Sequence, residues 1–344
     1  MPSSLSSTVS VVVPVFQGGA AFRRCLGAIE QLDPAPDELI VVADGADPAD
    51  ARAAEAAGAH VLQHSPARGP AYARNRGAEA ARGDVLFFVD ADCEAHPDAV
   101  ARVREHLRPG RPGGPDAVIG SYDDAPAARG VLSEYRNLLH HYTHQHGAAE
   151  ARTFWGACGA IRREAFRAVG GFDEGYRQPS IEDIELGYRL TDAGYRIRLD
   201  PALQVTHLKR WRPADVIRTD LVKRALPWSR LLLQRGGLPD DLNTDRMSQA
   251  SVSLAGTAAL ATLASLRSPK ALWAALASLA AIGALNADFY RFLASRHGSG
   301  FALRAFPWHV AYFACAGAGY AWAFAEHVWT SPASTSAHPT TPSV

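Results

Sequence analysis

The sequence predicts an α/β fold: a mostly parallel sheet flanked by helices, followed by a C-terminal run of apolar helices. Three observations carry that prediction. Residues 9–108 alternate short β-branched runs with Ala-rich helical stretches, as βαβ units do. After residue 210 the composition shifts to arginines and lysines interleaved with large apolar side chains. Beyond residue 249 come three stretches nearly free of charge. At 344 residues and 47% hydrophobic, the chain is long enough for two regions and can bury a sizeable core.

The elements follow in order. Val9 to Val13 is β-branched and has no basic segment ahead of it, so it reads as a first strand and not as a signal peptide. Phe22, Leu26, Ile29 and Leu32 recur at helical spacing; Leu39 to Val42 is a second strand, Ala49 to Ala57 a helix, and His60 to Gln63 a short third strand. Pro70 suits a first helical turn and Gly83 marks an end, which predicts a helix over Pro70 to Arg82. Val85 to Val89 is the next strand. In such sheets ligands gather beyond the carboxyl ends of the strands, where Asp44 and Asp90 fall. Residues 109–128, with RPGRPGGP, are expected to form a loop over that site, apart from a short strand Ala117 to Ile119.

A helix over Val131 to His146 carries His140, His141, His144 and His146. His140 and His144 have the spacing of a helical metal pair but no acidic or thiol partner nearby, so structural or solvent-facing roles are expected. From Arg212 to Arg235 the basic residues alternate with Val216, Ile217, Leu221, Val222, Leu226, Trp228 and Leu231 to Leu233. That suits an anionic bilayer surface, and equally an ordinary solvated helix. Ala250 to Leu266, Ala271 to Leu293 and Phe306 to Ala325 each approach the ~20 residues needed to cross a bilayer core, although a soluble helical hairpin has the same Ala-rich composition.

The expected organisation is therefore a catalytic domain over 1–210, basic interfacial helices over 211–248, about three membrane-spanning helices over 249–329, and a disordered tail over 330–344. Arginines cluster before the first span and between the second and third, which predicts a multi-pass protein of the cytoplasmic membrane with its catalytic domain facing the cytoplasm. Lys+Arg and Asp+Glu both number 35, so no bulk polyanion, nucleic acid included, is expected as a partner. Four scattered cysteines argue for a reducing compartment and against a disulfide framework.

The chemistry concentrates in FFVDAD, residues 87 to 92. Strand alternation puts Asp90 and Asp92 on one side, where two carboxylates repel unless a cation joins them. A divalent metal with a diphosphate satisfies that; a loop start with Asp92 capping the next helix is the other reading. In SIEDIELGYRL, Ser180 followed by Asp183 is a capping-box-like pair as well as a candidate acidic site.

Four segments in order resemble the family 2 glycosyltransferases, whose nucleotide-binding domain has the GT-A architecture. They are VSVVVPVFQGG (9–19), ELIVVADGA (38–46), ARGPAYARNRGAEAARGDVLFFVDAD (67–92), and the run from GACGAIRREAF to THLKRW (156–211). The resemblance implies an inverting transferase that moves a sugar from a UDP- or GDP-sugar to a hydroxyl of a lipid-linked, glycan or membrane-near acceptor. Pro14, Val15, Phe16 and Asp44 would line the base pocket, Arg68 would lie near base or phosphate, and Asp90 near the ribose. Asp92 and His207 would hold Mn²⁺ or Mg²⁺. Asp183 would be the catalytic base, with Glu182 positioning the acceptor or tuning it. His207, Arg210 and Trp211 read as HxxRW, near the QxxRW of processive synthases, so Arg210 would meet the diphosphate and Trp211 the acceptor sugar. Trp155 and Gly156 would also face the acceptor. The chain has Ala43 before Asp44 where relatives usually carry two acids, which leaves the base open. A polyprenyl-phosphate sugar synthase, a short-chain processive synthase, a nucleotidyltransferase on a similar fold and a non-catalytic nucleotide-sugar-binding scaffold are the alternatives.

Overall fold

A computed structural model describes residues 7–237 and 245–330. Strands β1 (Val9–Val15), β2 (Glu38–Asp44), β3 (His60–His64) and β4 (Val85–Val89) run parallel, alternating with helices α1 (Gly19–Glu30), α2 (Pro48–Ala56) and α3 (Pro70–Ala80). β5 (Cys93–Ala95), α4 (Ala99–His106), β6 (Ala117–Tyr122), α5 (Val131–His146), β7 (Glu150–Ala151), β8 (Cys158–Arg162), α6 (Arg163–Ala168), α7 (Glu182–Asp192) and β9 (Ile197–His207) complete the α/β half. Among the described residues the strands form one nine-stranded sheet, ordered β3-β2-β1-β4-β8-β6-β9-β5 with β7 on β9. It is mixed, because β8 runs antiparallel to both β4 and β6.

β4 is buried along its whole length, covered on both faces, so its sequence reads as a continuous apolar run. Phe88 meets Phe154, Phe166 and Phe172 with ring centroids 6.2, 5.6 and 5.3 Å away. Such pairs add about 0.5–1.5 kcal/mol each beyond the area they bury. They lock the GGFDE segment against the strand that ends in Asp90.

The expected loop over the site divides in two. After β4 delivers Asp90, α4 carries the chain back, so residues 109–116 lie at the opposite end of the strands. There Asp116 pairs with Arg196, and Arg162 at the far end of β8 donates to the Arg108 carbonyl. RPGRPGGP is thus remote from the site. Only the segment after β6 returns, where the Ala127 amide donates to the His207 carbonyl.

Residues 213–234 form one rod: α8 (Pro213–Arg218), a π-helical turn (Thr219–Ala225) and α9 (Leu226–Gln234). Its apolar side is docked inward. Leu232 packs with Ile181, Ile184 and Tyr188 of the α7 region, and Arg136 of α5 pairs with buried Asp220 at 2.9 Å. Pro227 has no N–H to offer the Lys223 carbonyl one turn back, and the Ser180 hydroxyl donates to that carbonyl instead, at 2.8 Å. The expected Ser180–Asp183 cap is therefore absent; Ser180 ties the entrance of α7 to the rod.

The C-terminal helices are α10 (Arg246–Ser265), α11 (Ala271–Leu285), α12 (Ala287–His297) and α13 (Ser299–Thr330). The continuous helix expected over Ala271 to Leu293 is broken between α11 and α12 by a 70° bend. Phe289 and Leu293 explain the break: they turn away to pack with Tyr135 and Leu138 of α5 and with Phe301 and Ala305. Among the described residues no single helix is long and apolar enough to cross a membrane; the α11–α12 pair passes only when joined. The tail expected beyond Thr330 lies outside the described residues.

Candidate active site

The ends of β1, β2 and β4 form the first wall. Phe16 follows β1 and is 53% exposed, beside Pro14 and buried Val15. Asp44 is buried at the end of β2; its oxygens accept from the Arg68 amide at 2.9 and 3.0 Å and from the Gly69 amide at 2.7 Å. It thereby fixes the turn into α3. The Arg68 guanidinium lies over the Tyr72 ring at 3.8 Å, within 3.4 Å of Glu174.

Arg74, in the middle of α3, joins the two acidic segments. Its guanidinium donates to Asp90 at 2.7 Å and to Glu182 at 2.9 Å, and only 5% of its side chain is exposed. Gly156 makes room for it, since a Cβ there would sit 3.0 Å from the guanidinium carbon. The space beside Gly156 therefore belongs to Arg74. The next residue, Asn75, exchanges hydrogen bonds with the Phe172 backbone at 2.9 Å in both directions, so ARNRG clamps GGFDE directly. Arg74 and Asn75 were missed as functional residues by sequence reasoning.

Burial raises the Asp90 carboxyl above its ordinary range; Arg74 opposes this and Asp92 adds to it. Asp92 goes the other way: against burial, the imidazole of His207 and then Lys209 bring it below its ordinary value. β5 pairs antiparallel with β9, Cys93 opposite His207, which brings Asp92 Oδ2 to 3.7 Å from His207 Nε2. Tyr122 stacks on His207 at 4.3 Å and fixes the ring. Asp92 is 40% exposed toward a cavity, so a carboxylate oxygen and an imidazole nitrogen converge on accessible space. Among the described residues no group of three or more His, Cys, Asp or Glu could hold a metal. The pair fits an ion whose other positions are filled by diphosphate oxygens and water.

Asp183 begins α7. Its Oδ2 accepts from the Gly156 amide at 3.1 Å, and its Oδ1 from the Ile184 amide at 2.8 Å. Burial, then the neighbouring charge of Glu182, pushes its carboxyl up to about 6. Glu182 is fully engaged by Arg74 and by the Ser180 amide, at 2.8 Å. Glu185 pairs with Arg189 at 2.6 Å. α7 also packs unusually close: a Cβ on Gly187 would fall 2.2 Å from the Phe154 amide nitrogen. Backbone cannot yield there, so Gly187→Ala is expected to lower stability by about 1–3 kcal/mol in denaturant unfolding.

A cavity of about 230 Å³ extends from Asp90, Asp92 and His207 past Trp155, Lys209 and Trp211 to the rod. Lys209 sits over the Trp211 ring at 4.1 Å, while Arg210 is exposed and does not line this cavity. His140 and His144 of α5 belong to its wall. His144 Nδ1 donates to the Gly120 carbonyl at 2.7 Å, and burial brings the imidazole down to about 4. His140, tilted against both Tyr122 and Trp155 with ring centroids 4.5 Å from each, is held neutral by burial and then by His144. All four cysteines are buried and free, and burial pushes the thiols of Cys25, Cys93 and Cys158 up, which removes them as nucleophiles.

Comparison with known proteins speaks to family and fold. Residues 10–170 match the family model for glycosyl transferase family 2, and residues 136–211 that for the N-terminal domain of galactosyltransferase. Residues 10–170 of the chain belong to glycosyl transferase family 2. A pre-mycofactocin glycosyltransferase of Mycobacterium tuberculosis is 31% identical over 232 residues, which cover 61% of this chain and 44% of the relative. This family 2 chain thus spans less than half the length of that relative. An N-acetylglucosaminyl-diphospho-decaprenol L-rhamnosyltransferase of the same species is 46% identical over 54 residues, 16% of this chain and 17% of its own length. The mannosyltransferase PcManGT of Pyrobaculum calidifontis, solved with GDP-Man and Mn²⁺, superposes with a TM-score of 0.57 at 20% identity, over 93% of this chain and 88% of its own. The fold match therefore includes the C-terminal helices.

Proposed function

We propose that this family 2 glycosyltransferase is a metal-dependent, inverting enzyme that moves a sugar from a nucleotide-diphosphate sugar to a hydroxyl of a lipid-linked or membrane-near acceptor. The observation that carries the reading is Arg74, whose one guanidinium holds Asp90 of the donor edge and Glu182 of the acceptor side, so both acidic segments share a cleft. In this reading Asp183 takes the proton of the acceptor hydroxyl. The oxygen bonds to the anomeric carbon from one face as the bond to the diphosphate breaks on the other, and the nucleoside diphosphate leaves with the electron pair. Asp92 and His207 would hold the divalent ion, Mn²⁺ or Mg²⁺, which when bound neutralises charge on the departing diphosphate. Lys209 adds a fixed positive charge on the same wall.

Membrane attachment is part of the proposal. Leu266, Trp273, Leu303 and Trp329 are 84, 74, 75 and 94% exposed, a set of large apolar side chains that water does not favour. Attachment at the cytoplasmic face would bring a lipid-linked acceptor to the rod, which docks on α7.

Purified chain supplied with a panel of UDP- and GDP-sugars and either metal tests the activity, read as nucleoside diphosphate released and product mass. Binding of a donor with no turnover would favour a scaffold instead. Asp92→Ala is expected to weaken donor binding about tenfold or more in the presence of metal, and to change little after chelation; equal calorimetric affinities with metal present would remove Asp92 from the ligand set.

A further inference from the structure

Three cavities meet at one side chain. The 230 Å³ cavity beside Asp92 and His207 ends at Lys223, Arg224 and Tyr312. A recess of about 30 Å³ at Asp183 is bounded by Trp155, Trp228 and Arg224. A groove of about 310 Å³, walled mainly by apolar atoms, runs between the rod, α10 and α13, past Trp228, Leu232, Val252 and Ala316, and it opens at Arg224 and Tyr312. Arg224 is the residue common to all three.

Arg224 is half-buried and, among the described residues, its guanidinium makes no hydrogen bond or ion pair. Other arginines around it are matched: Arg136 with Asp220 at 2.9 Å, Arg230 with Glu326 at 2.8 Å and Arg235 with Asp192 at 2.7 Å. A guanidinium that is partly desolvated and unmatched favours an anion, and its planar fork suits phosphate oxygens. Lys223 lines the same end of the polar cavity and adds to that preference. An apolar groove that opens onto a cationic head, with the acidic site just beyond, has the polarity of an amphiphile laid along it.

We propose that Arg224 is the headgroup site for an amphiphilic acceptor of the membrane: a phosphate group rests against its guanidinium while a long aliphatic chain lies in the groove between the rod, α10 and α13. The inference rests on the glycosyl-transfer reading and narrows its acceptor to a lipid phosphate or diphosphate. The exposed apolar residues Leu260 and Leu263 on α10, 71 and 63% exposed, fit a lipid source for the chain.

The test is calorimetric titration of the full chain in neutral-detergent micelles with tetradecyl phosphate, hexyl phosphate and tetradecanol, with thermal melts as the folding control. Wild type is expected to bind tetradecyl phosphate at least about tenfold more tightly than either of the others. Arg224→Gln should lose about tenfold or more for tetradecyl phosphate and nothing for tetradecanol, and Arg224→Lys should recover part of it. Ser253→Phe, at an exposed position on the groove wall, should erase the preference for the long chain while keeping hexyl phosphate binding. Unchanged tetradecyl phosphate binding in Arg224→Gln, or a chain-length preference that survives Ser253→Phe, overturns the proposal. So does a parallel loss of UDP affinity in Arg224→Gln, because the donor diphosphate would then be the occupant. Turnover of nucleotide sugar without an Arg224-dependent lipid site sinks this inference alone; an Arg224-dependent lipid site without any turnover sinks the transfer reading and leaves the headgroup site standing.

Discussion

Asp183→Asn is expected to abolish sugar transfer, by about 10²- to 10⁴-fold, while donor binding stays within experimental error of wild type. The amide has the shape of the carboxylate and its oxygen can still accept from the Gly156 amide, which in wild type donates to Asp183 at 3.1 Å. What it lacks is affinity for a proton. The acid limb of the wild-type rate gives a second readout. Burial and then Glu182 raise the Asp183 carboxyl to about 6. Below that pH the group is protonated and cannot act as a base, so the rate should fall by about tenfold per pH unit as the pH drops below 6, and level off above it. Glu182→Gln removes a neighbouring negative charge and leaves Arg74 less neutralised; both effects favour the Asp183 carboxylate and move the limb to lower pH. Transfer by Asp183→Asn at more than about a tenth of the wild-type rate, or a limb that does not move in Glu182→Gln, would exclude Asp183 as the base.

What the sequence could reveal followed from locality. The first four strands and three helices are legible because each is specified by a short run: β-branched residues for the strands, Pro70 at the start of α3, Gly83 past its end. Asp90 and Asp183 are legible as candidates because each stands at the mouth of such an element. The pairing of Asp92 with His207 depends on β5 meeting β9 antiparallel, a contact between residues more than a hundred positions apart that no local pattern encodes. RPGRPGGP announces a loop without saying at which end of the strands; the direction of α4 decides that, and following the chain back along it would have placed the loop at the far end. The break at α11–α12 was hidden because an Ala-rich apolar helix has one composition whether it packs on α5 or lies in a bilayer. Arg74 and Asn75 did leave a trace. Ala71, Tyr72, Ala73, Gly77 and Ala78 are buried with them on α3, and two large polar residues set in an otherwise small or aromatic buried helix face signal polar partners waiting on the other side.

The largest effect on stability is expected from Arg74→Met. Glu182 has 5% of its side chain exposed and loses Arg74, its one ion-pair partner among the described residues, which leaves a buried carboxylate largely uncompensated. Breaking such a pair from one side typically lowers stability by about 3–5 kcal/mol, measurable as a drop in the denaturant midpoint. Arg74→Lys should be intermediate, because an ammonium is a point charge and cannot span Asp90 and Glu182 as a fork does. The same substitution acts on the chemistry with a definite sign. Arg74 lowers the carboxyls of both Asp90 and Asp183, so without it both rise further. The acid limb of the rate should then move to higher pH, opposite to its movement in Glu182→Gln. Arg74→Met combined with Glu182→Met separates the two roles: replacing both partners by apolar groups is often close to neutral for folding, so the double variant should regain much of the lost stability. It should not regain transfer, since Asp90 and α7 are no longer held by a common group. A loss of less than about 1 kcal/mol in Arg74→Met would mean that packing of Phe172 and Gly187, rather than this guanidinium, keeps the two acidic segments in one cleft.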